Sequence, residues 1–260
     1  MKVFAHRGAS GLYPENTRSA ILAALELGVD GIEIDLQSTL DGFAVIHDTW
    51  LDRTTNGRGK VNKLTLAEVQ QYDAGNGQTV PSIEDVFQWV NNQTLLNLEL
   101  KHTFALDKLV KLIEQQVQSG LLTRENLLIS SFDHHQLKWL KQQLPWVKIG
   151  ALTGSIPLGY CEFAERLNAY SVHVDKNFIN CEYVADAKTR NLKVFAYTVD
   201  KQEDIDDMLL CIKKLVDFVL HDYDRIWEAA GHDIYNMLDV AVAISEVISS
   251  GLEYKMGKYL

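Results

Sequence analysis

Short runs of apolar residues alternate along the chain with longer segments in which apolar residues recur every three or four positions. Stretches such as TRSAILAALELG, LDKLVKLIEQQVQSG and DHHQLKWLKQQL show the helical spacing. The short runs have the length and composition of strands, and there are eight: KVFA, DGIEIDLQS, TLLNLELK, NLLISSF, VKIGAL, AYSVHV, LKVFAYTV and VDFVLHD. Repeated strand-then-helix units predict a parallel sheet.

Eight such units in 260 residues fit one closed (β/α)8 barrel, a TIM barrel, and we predict a single domain over residues 1–260. A doubly wound open sheet is the alternative α/β architecture. No GxGxxG follows a predicted strand, which counts weakly against the dinucleotide-binding form of that sheet.

Two segments depart from this regular alternation. After the second strand, the Asp41-Gly42 dipeptide predicts a hairpin, and residues 43–82 form an insertion too long for an ordinary connection. Its glycines suggest a composition too flexible for a core, and we expect it to lie over the barrel mouth. Residues 232–260 have helical spacing and predict a helical extension, which closes the bottom of the barrel or contacts a second copy in a homodimer.

Composition excludes several classes of protein. The net charge of −10 and the lack of any Lys/Arg run argue against nucleic-acid binding. There is no apolar run of membrane-spanning length and no signal-like start. Cys161, Cys181 and Cys211 are far apart without a CxxC pair, and they predict reduced thiols in a cytoplasmic protein.

The first strands and the hairpin concentrate chemically distinctive residues. In a parallel barrel, functional groups lie at the carboxyl ends of the strands, so these ends are expected to meet at one patch of the mouth. Side chains two positions apart on a strand point to the same face. The residues concerned are His6, Arg7, Glu33, Asp35, His47, Glu99 and Lys101.

The charges at this patch predict a metal site. Glu33, Asp35 and Glu99 would repel one another unless their pKa values rise or a cation lies among them. An oxygen-only ligand set without cysteine favours one divalent cation, Mg²⁺ or Ca²⁺. With Arg7 and Lys101 present, the patch becomes neutral once such an ion and a phosphodiester are bound, which suggests metal-assisted phosphoryl transfer.

The remaining groups suit the same reaction. Cleavage of a phosphodiester needs one group to accept a proton and another to donate one, and His6 and His47 can do both near neutral pH. Arg7 can bind phosphate oxygens with two N–H groups, and Lys101 adds a point charge. Gly8, directly after them, is expected to let a phosphate approach the backbone.

Other interpretations stay open on the residues alone. Each charged pair could be a structural ion pair, and each histidine could be a hydrogen-bonded structural residue. Lys101 could form a Schiff base in a lyase of the aldolase type. A catalytically silent phosphate-binding barrel is a third hypothesis, although such a protein would be expected to have lost one of these groups.

The ordered motifs HRG, PENT, GIEIDLQSTLDG, VIHD, LDRTTNG, LELK and ISSF resemble the glycerophosphodiester phosphodiesterase family, and the resemblance runs from His6 to Asp222. It implies a TIM barrel that hydrolyses glycerophosphodiesters to glycerol 3-phosphate and an alcohol. It also implies a Mg²⁺ or Ca²⁺ ion on Glu33, Asp35 and Glu99.

The resemblance further implies roles for the other motif residues. It makes His6 and His47 the acid–base pair and assigns Arg7 and Lys101 to the phosphate. Phe132 and Tyr197 are expected to line the substrate pocket. Tyr197 replaces the family's usual Trp, and His221-Asp222 replaces the usual Thr-Asp, which affects the expected substrate preference more than the chemistry.

Overall fold

A closed barrel of eight parallel strands forms the body of the protein in a computed structural model, which describes residues 2–199, 201, 203–206 and 253–256. The strands are β1 (Lys2–His6), β2 (Gly31–Ser38), β3 (Phe43–Val45), β4 (Leu95–Leu100), β5 (Leu127–Ser131), β6 (Lys148–Thr153), β7 (Ser171–Asp175), β8 (Lys193–Val199) and β9 (Glu253–Met256). All except β3 belong to the barrel, and β1 pairs with both β2 and β9 to close it. The predicted TIM barrel is confirmed.

Helices connect the strands, and all except α2, which lies within the insertion, belong to the barrel. They are α1 (Arg18–Glu26), α2 (Leu66–Val69), α3 (Ile83–Val90), α4 (Leu106–Ser119), α5 (His134–Gln143), α6 (Glu162–Glu165) and α7 (Cys181–Thr189). The three helices expected from spacing correspond to α1, α4 and α5. Thr17 and Asp133 cap the first turns of α1 and α5 with their side chains, which fixes where these two helices begin.

The two-residue period of the strands places apolar side chains on one face of β2 and carboxylates on the other. In β2, Ile32, Ile34 and Leu36 point outward into the core between strands and helices, so the alternate residues Glu33 and Asp35 point into the barrel. Apolar residues, including Phe4, Leu128 and Phe195, form a separate cluster that also lies away from the helix layer. The carboxylates are therefore held by a buried strand whose other face is core.

The last barrel strand differs from the prediction. The run VDFVLHD was expected to form the eighth strand, but β9 fills the place between β8 and β1. That run, with His221 and Asp222, lies outside the described residues. The prediction that residues 232–260 are helical is wrong for Glu253–Met256, and the rest of that extension also lies outside the described residues.

The segment after the second strand has its predicted hairpin and an unexpected core. β2 pairs antiparallel with β3 across the Asp41-Gly42 turn, as predicted. The expectation that the composition of residues 43–82 is too flexible for a core is wrong. Their buried side chains form a cluster of their own: Ala44, Ile46, Leu51, Val61, Val69, Ala74 and Val80.

The cysteines and the helix lengths can both be compared with what the sequence predicts. Cys181 is disulfide-bonded, so the prediction of a reduced thiol is wrong there, whereas Cys161 is free and buried. Among the described residues, no helix has both the length and the apolar character needed to cross a bilayer.

Packing requires a glycine at position 8, in addition to the role expected from its place after Arg7, which stays a prediction. Its φ is +75°, and an added Cβ would lie 2.6 Å from the carbonyl carbon of Ala20 in α1. The neighbouring Ala9 donates its N–H to the carbonyl oxygen of Ala20 at 2.8 Å. The glycine thus lets the loop after β1 lie directly on the helix.

We expect Gly8→Ala to destabilise the fold more than Gly28→Ala. Both glycines have positive φ, so alanine at either position costs roughly 1–2 kcal/mol of backbone strain. Only Gly8 adds a clash, because nothing lies within 4 Å of a Cβ built on Gly28. Urea unfolding of both variants measures the difference, and equal losses would contradict the packing role.

Candidate active site

Three buried carboxylates define the centre of the barrel mouth. Glu33, Asp35 and Glu99 each offer an oxygen atom, and these atoms all lie within 4.8 Å of one another. The sheet register produces this arrangement, because Asp35 lies opposite Glu99 on β4 and His6 lies opposite Glu33. The predicted convergence of strand ends is therefore found in the structure.

Two cations lie directly against these carboxylates. Lys101 Nζ is 3.2 Å from Asp35 Oδ1 and is also paired with Glu99, and Arg7 Nε is 3.1 Å from Asp35 Oδ2. Burial alone would lower the pKa of Lys101, but the negative charges of Asp35 and Glu99 outweigh it and raise that pKa. A Schiff-base lysine needs a lowered pKa, so the geometry argues against the lyase alternative.

Asn16 fixes the orientation of Asp35 and was not assigned a role from the sequence. Its side-chain Nδ2 donates to Asp35 Oδ2 at 2.9 Å, and its Oδ1 accepts the Asp35 N–H at 3.3 Å. Asn16 is buried and has a φ of +58°, a conformation that asparagine adopts more readily than most residues. The PENT motif was the available signal, but contact with Asp35 depends on how the loop folds.

The two histidines approach the carboxylates from different elements. His6 ends β1, with Nε2 at 3.7 Å from Glu33 Oε2 and Nδ1 at 3.3 Å from the hydroxyl of Thr198 on β8. His47 follows β3, and its Nδ1 lies 2.6 Å from Asp48 Oδ1. That contact leaves Nε2 as the ring nitrogen that can face a substrate.

A chain of ion pairs leads from Arg7 to His47. Arg7 Nη1 donates to Glu15 at 2.8 Å, and Arg53 donates from Nη1 and Nη2 to the same carboxylate at 3.2 and 2.8 Å. Arg53 also donates from Nε and Nη2 to Asp48, at 2.6 and 2.9 Å. Arg53 therefore joins the loop after β1 to the segment that carries His47.

This chain shifts the pKa values of its carboxyl groups downward. The hydrogen bond from Arg53 is the largest cause that holds the pKa of Asp48 well below its ordinary value. Burial alone would raise the pKa of Glu15, but the hydrogen bonds and charges of Arg53 and Arg7 outweigh burial and lower it. Glu15, Asp48 and Arg53 lie within the motifs PENT, VIHD and LDRTTNG, but the spacing of these motifs predicts no role for them.

A large cavity opens beside His47 and Lys101, with a volume of about 930 Å³. Phe132 lines it, as expected, together with Trp50 from the insertion and Phe104 from the loop after β4. Tyr197 packs edge-on against Phe132, with 6.3 Å between ring centroids, and its hydroxyl donates to the carbonyl oxygen of Thr153 at 3.0 Å. The wall of this cavity beside His47 is therefore aromatic.

Comparison with known proteins agrees with the motifs. The model of the "Glycerophosphoryl diester phosphodiesterase family" matches residues 6–225. A glycerophosphodiester phosphodiesterase of Caldanaerobacter subterraneus subsp. tengcongensis is 39% identical over an alignment of 234 positions, which covers 85% of this chain and 93% of the relative. One from Bacillus altitudinis is 31% identical over 80% of this chain and 90% of its own.

Solved structures show the same similarity. An Oleispira antarctica phosphodiesterase, solved in complex with the product sn-glycerol-3-phosphate, has a TM-score of 0.75 and 26% identity, covering 100% of this chain and 93% of its own. A glycerophosphodiester phosphodiesterase of Thermotoga maritima has a TM-score of 0.66 and 26% identity, covering 80% and 90%.

We expect Arg53→Met to lower the free energy of unfolding most at about pH 7 and least in acid. Glu15 and Asp48 have lowered pKa values when folded, so they favour the folded state above about pH 4, the ordinary carboxyl range. This contribution is lost as the pH falls through the lowered values. The difference in unfolding free energy between wild type and variant should therefore shrink as the pH falls below about 4.

Urea unfolding across this pH range measures the effect, with Arg166→Met as the control. Arg166 forms an exposed ion pair with Glu162, and such pairs contribute little to stability. A loss for Arg53→Met that is the same at every pH would contradict the ionic role of Arg53.

Proposed function

The chain belongs to the glycerophosphoryl diester phosphodiesterase family and hydrolyses glycerophosphodiesters, and on that premise we propose how its own residues carry out the reaction. Glu33, Asp35 and Glu99 hold one divalent cation, Arg7 and Lys101 bind the phosphate, and His6 and His47 transfer protons. The products are glycerol 3-phosphate and an alcohol. The observation that carries the proposal is the three buried carboxylates whose oxygens lie within 4.8 Å.

The donor set fits a hard divalent cation. All three side chains offer only oxygen atoms, which suit Mg²⁺ or Ca²⁺. Lys101 and Arg7 balance two of the three negative charges, so the site keeps a net affinity for a cation. When bound, the ion supplies positive charge that stabilises negative charge developing on the phosphate oxygens.

Arg7 and Lys101 are held in place before any substrate arrives. A guanidinium has five N–H donors, so the contacts of Arg7 with Asp35 and Glu15 leave donors for a phosphate oxygen. Lys101 is mostly buried and ion-paired, and its raised pKa keeps it positively charged. Both cations therefore meet the phosphodiester without a prior reorganisation of charge.

The surroundings of the two histidines suit one of them to donate a proton and the other to accept one. His47 lines the large cavity, so it is placed to protonate the oxygen of an alcohol that leaves into that cavity. Asp48 accepts from its Nδ1, which stabilises the protonated ring and orients Nε2. His6 lies between Glu33 and Thr198 and accepts the proton of the nucleophile, either water or the adjacent glycerol hydroxyl.

The wider predictions follow from the same premise. The segment 43–82 carries His47 and Trp50 to the cavity, which supports its proposed place at the mouth of one catalytic domain. Phe132 forms the pocket wall; Tyr197 is not among the residues that line the cavity but contacts Phe132 edge-on, so its proposed place in the pocket wall stays a prediction. A cytoplasmic location and a homodimer through the C-terminal segment stay predictions from the sequence; fractionation and sedimentation would test them.

We expect Glu99→Gln to weaken Mg²⁺ and Ca²⁺ binding while the fold persists. The substitution removes one of three negative charges and leaves the side-chain shape unchanged. Calorimetry measures the affinity, and thermal unfolding measures the stabilisation that the added ion gives. Glu165→Gln, which removes a surface carboxylate paired with Arg190, is the control. Unchanged ion affinity in Glu99→Gln would remove this residue from the site.

We expect His6→Ala and His47→Ala each to lower kcat by roughly 10²-fold on an alkyl ester, the usual scale for acid–base groups. On a p-nitrophenyl ester the loss in His47→Ala should be much smaller, because nitrophenolate leaves without a proton. His6→Ala should lose equally on both esters. His135→Ala, an exposed histidine on α5, is the control. Equal losses for His47→Ala on both esters would contradict its role as the acid.

A further inference from the structure

The cavity beside His47 is large for the substrates that the reaction minimally requires. Its volume of about 930 Å³ is near the upper end of the roughly 300–1,000 Å³ range of pockets that enclose drug-sized ligands. A small alcohol such as ethanolamine would fill little of it. The space continues outward from His47 and Lys101, at the place where the leaving alcohol departs under the proposed mechanism.

Three aromatic rings from three different loops line this space and stay half exposed. Trp50 is 51% exposed, Phe104 48% and Phe132 52%. Isolated exposed apolar residues are ordinary, but a group of them around one cavity marks a surface that a ligand covers. The aromatic rings thus supply apolar surface for a bound group.

Four polar side chains along the cavity donate within the protein. Each donates to a backbone carbonyl oxygen at 2.8–3.0 Å: Gln37, Thr103, Ser131 and Gln136. Two acceptors on the same wall, Asn62 Oδ1 and Gln136 Oε1, have no hydrogen-bond partner, but both atoms are buried, so these side chains add little recognition of a polar alcohol.

A cationic alcohol, the main competitor, is not favoured by the charges. Lys60 Nζ lies 5.2 Å from the centroid of the Trp50 ring, so a cation already occupies one face of that ring. Asp48 is paired with Arg53 and His47. Asp133 accepts two backbone N–H groups at the start of α5. The carboxylates near the rings are therefore already engaged.

Exposed apolar residues continue around the same end of the barrel. Within the part of the chain that the structure describes, ten large apolar side chains are exposed, and nine of them lie on loops at the carboxyl ends of strands. Examples beyond the cavity are Tyr13, Leu158 and Phe178. Leu27, after α1, lies at the opposite end.

We infer that this cavity binds an apolar chain on the leaving alcohol, so that the enzyme prefers glycerophosphodiesters with alkyl-chain alcohols over those with small polar or cationic ones. The inference rests on the proposed function and names its substrate class. In the reaction, the phosphorus–oxygen bond to the alkyl alcohol breaks, that oxygen takes a proton from His47, and water supplies the new phosphate oxygen. The chain itself only adds binding along the aromatic walls.

A series of sn-glycero-3-phosphoalkyl esters, from ethyl through butyl to octyl, tests the inference below the concentrations at which they aggregate. We expect kcat/KM to rise by about fourfold for each methylene that becomes buried. Phe104→Ser should flatten this dependence on chain length. Leu27→Ser removes an exposed leucine at the opposite end of the barrel and should leave the whole series unchanged.

The outcomes distinguish a failure of the proposed function from a failure of the apolar subsite. Failure to hydrolyse even the ethyl ester would overturn the proposed function. Hydrolysis of the ethyl ester with a flat dependence on chain length would overturn the apolar subsite alone. A choline ester hydrolysed faster than its uncharged 3,3-dimethylbutyl analogue would show a cation site and would also overturn it.

Discussion

Three carboxylates that share one small, buried space at the barrel mouth set the conditions for everything around them. At separations under 5 Å, like charges shielded from water repel strongly, so the fold tolerates them only with cations close by. Lys101 directly follows the strand that carries Glu99, and Arg7 directly follows β1, the strand beside β2. Together they leave one negative charge unbalanced, which is the electrostatic basis for holding a divalent ion.

Ion pairs of alternating charge extend outward from these carboxylates. Arg7 pairs with Asp35 and Glu15, Arg53 pairs with Glu15 and Asp48, and Asp48 also contacts His47. Each cation therefore bridges two anions, and each added carboxylate fixes the next group. The segment that carries His47 has its own apolar core, and the β2–β3 pairing together with these ion pairs positions that small unit against the barrel. The position of His47, the proposed proton donor, thereby depends on the charges around Asp35.

Sequence periodicity predicted the parts of this structure that depend on local pattern. Alternation in GIEIDLQS placed Glu33 and Asp35 on one face, and helix spacing located α1, α4 and α5. Periodicity does not predict which of two distant segments pairs with a given strand, because an apolar run does not specify its partner. The pattern predicts the run ending at Asp222 as the last strand, yet Glu253–Met256 pairs with β1 and β8. Likewise, glycines in residues 43–82 masked a core formed by apolar residues scattered between them.

The roles of Arg53 and Asn16 were unpredictable for a related reason. Arg53 is 38 positions from Glu15, and Asn16 is 19 from Asp35, so neither contact leaves a periodic signal. Both depend on loops whose course is set by single features, such as the positive φ of Asn16 and the close packing of Gly8 on α1. The carboxylates lie on β2 and β4, and Arg7 and Lys101 directly follow β1 and β4. Of the aromatic walls, Trp50 shares a segment with His47 and Phe104 shares a loop with Lys101, whereas Phe132 lies on the loop after β5. Because that loop holds none of the three carboxylates or their cations, Phe132 can change to suit another alcohol while the charged groups stay in place.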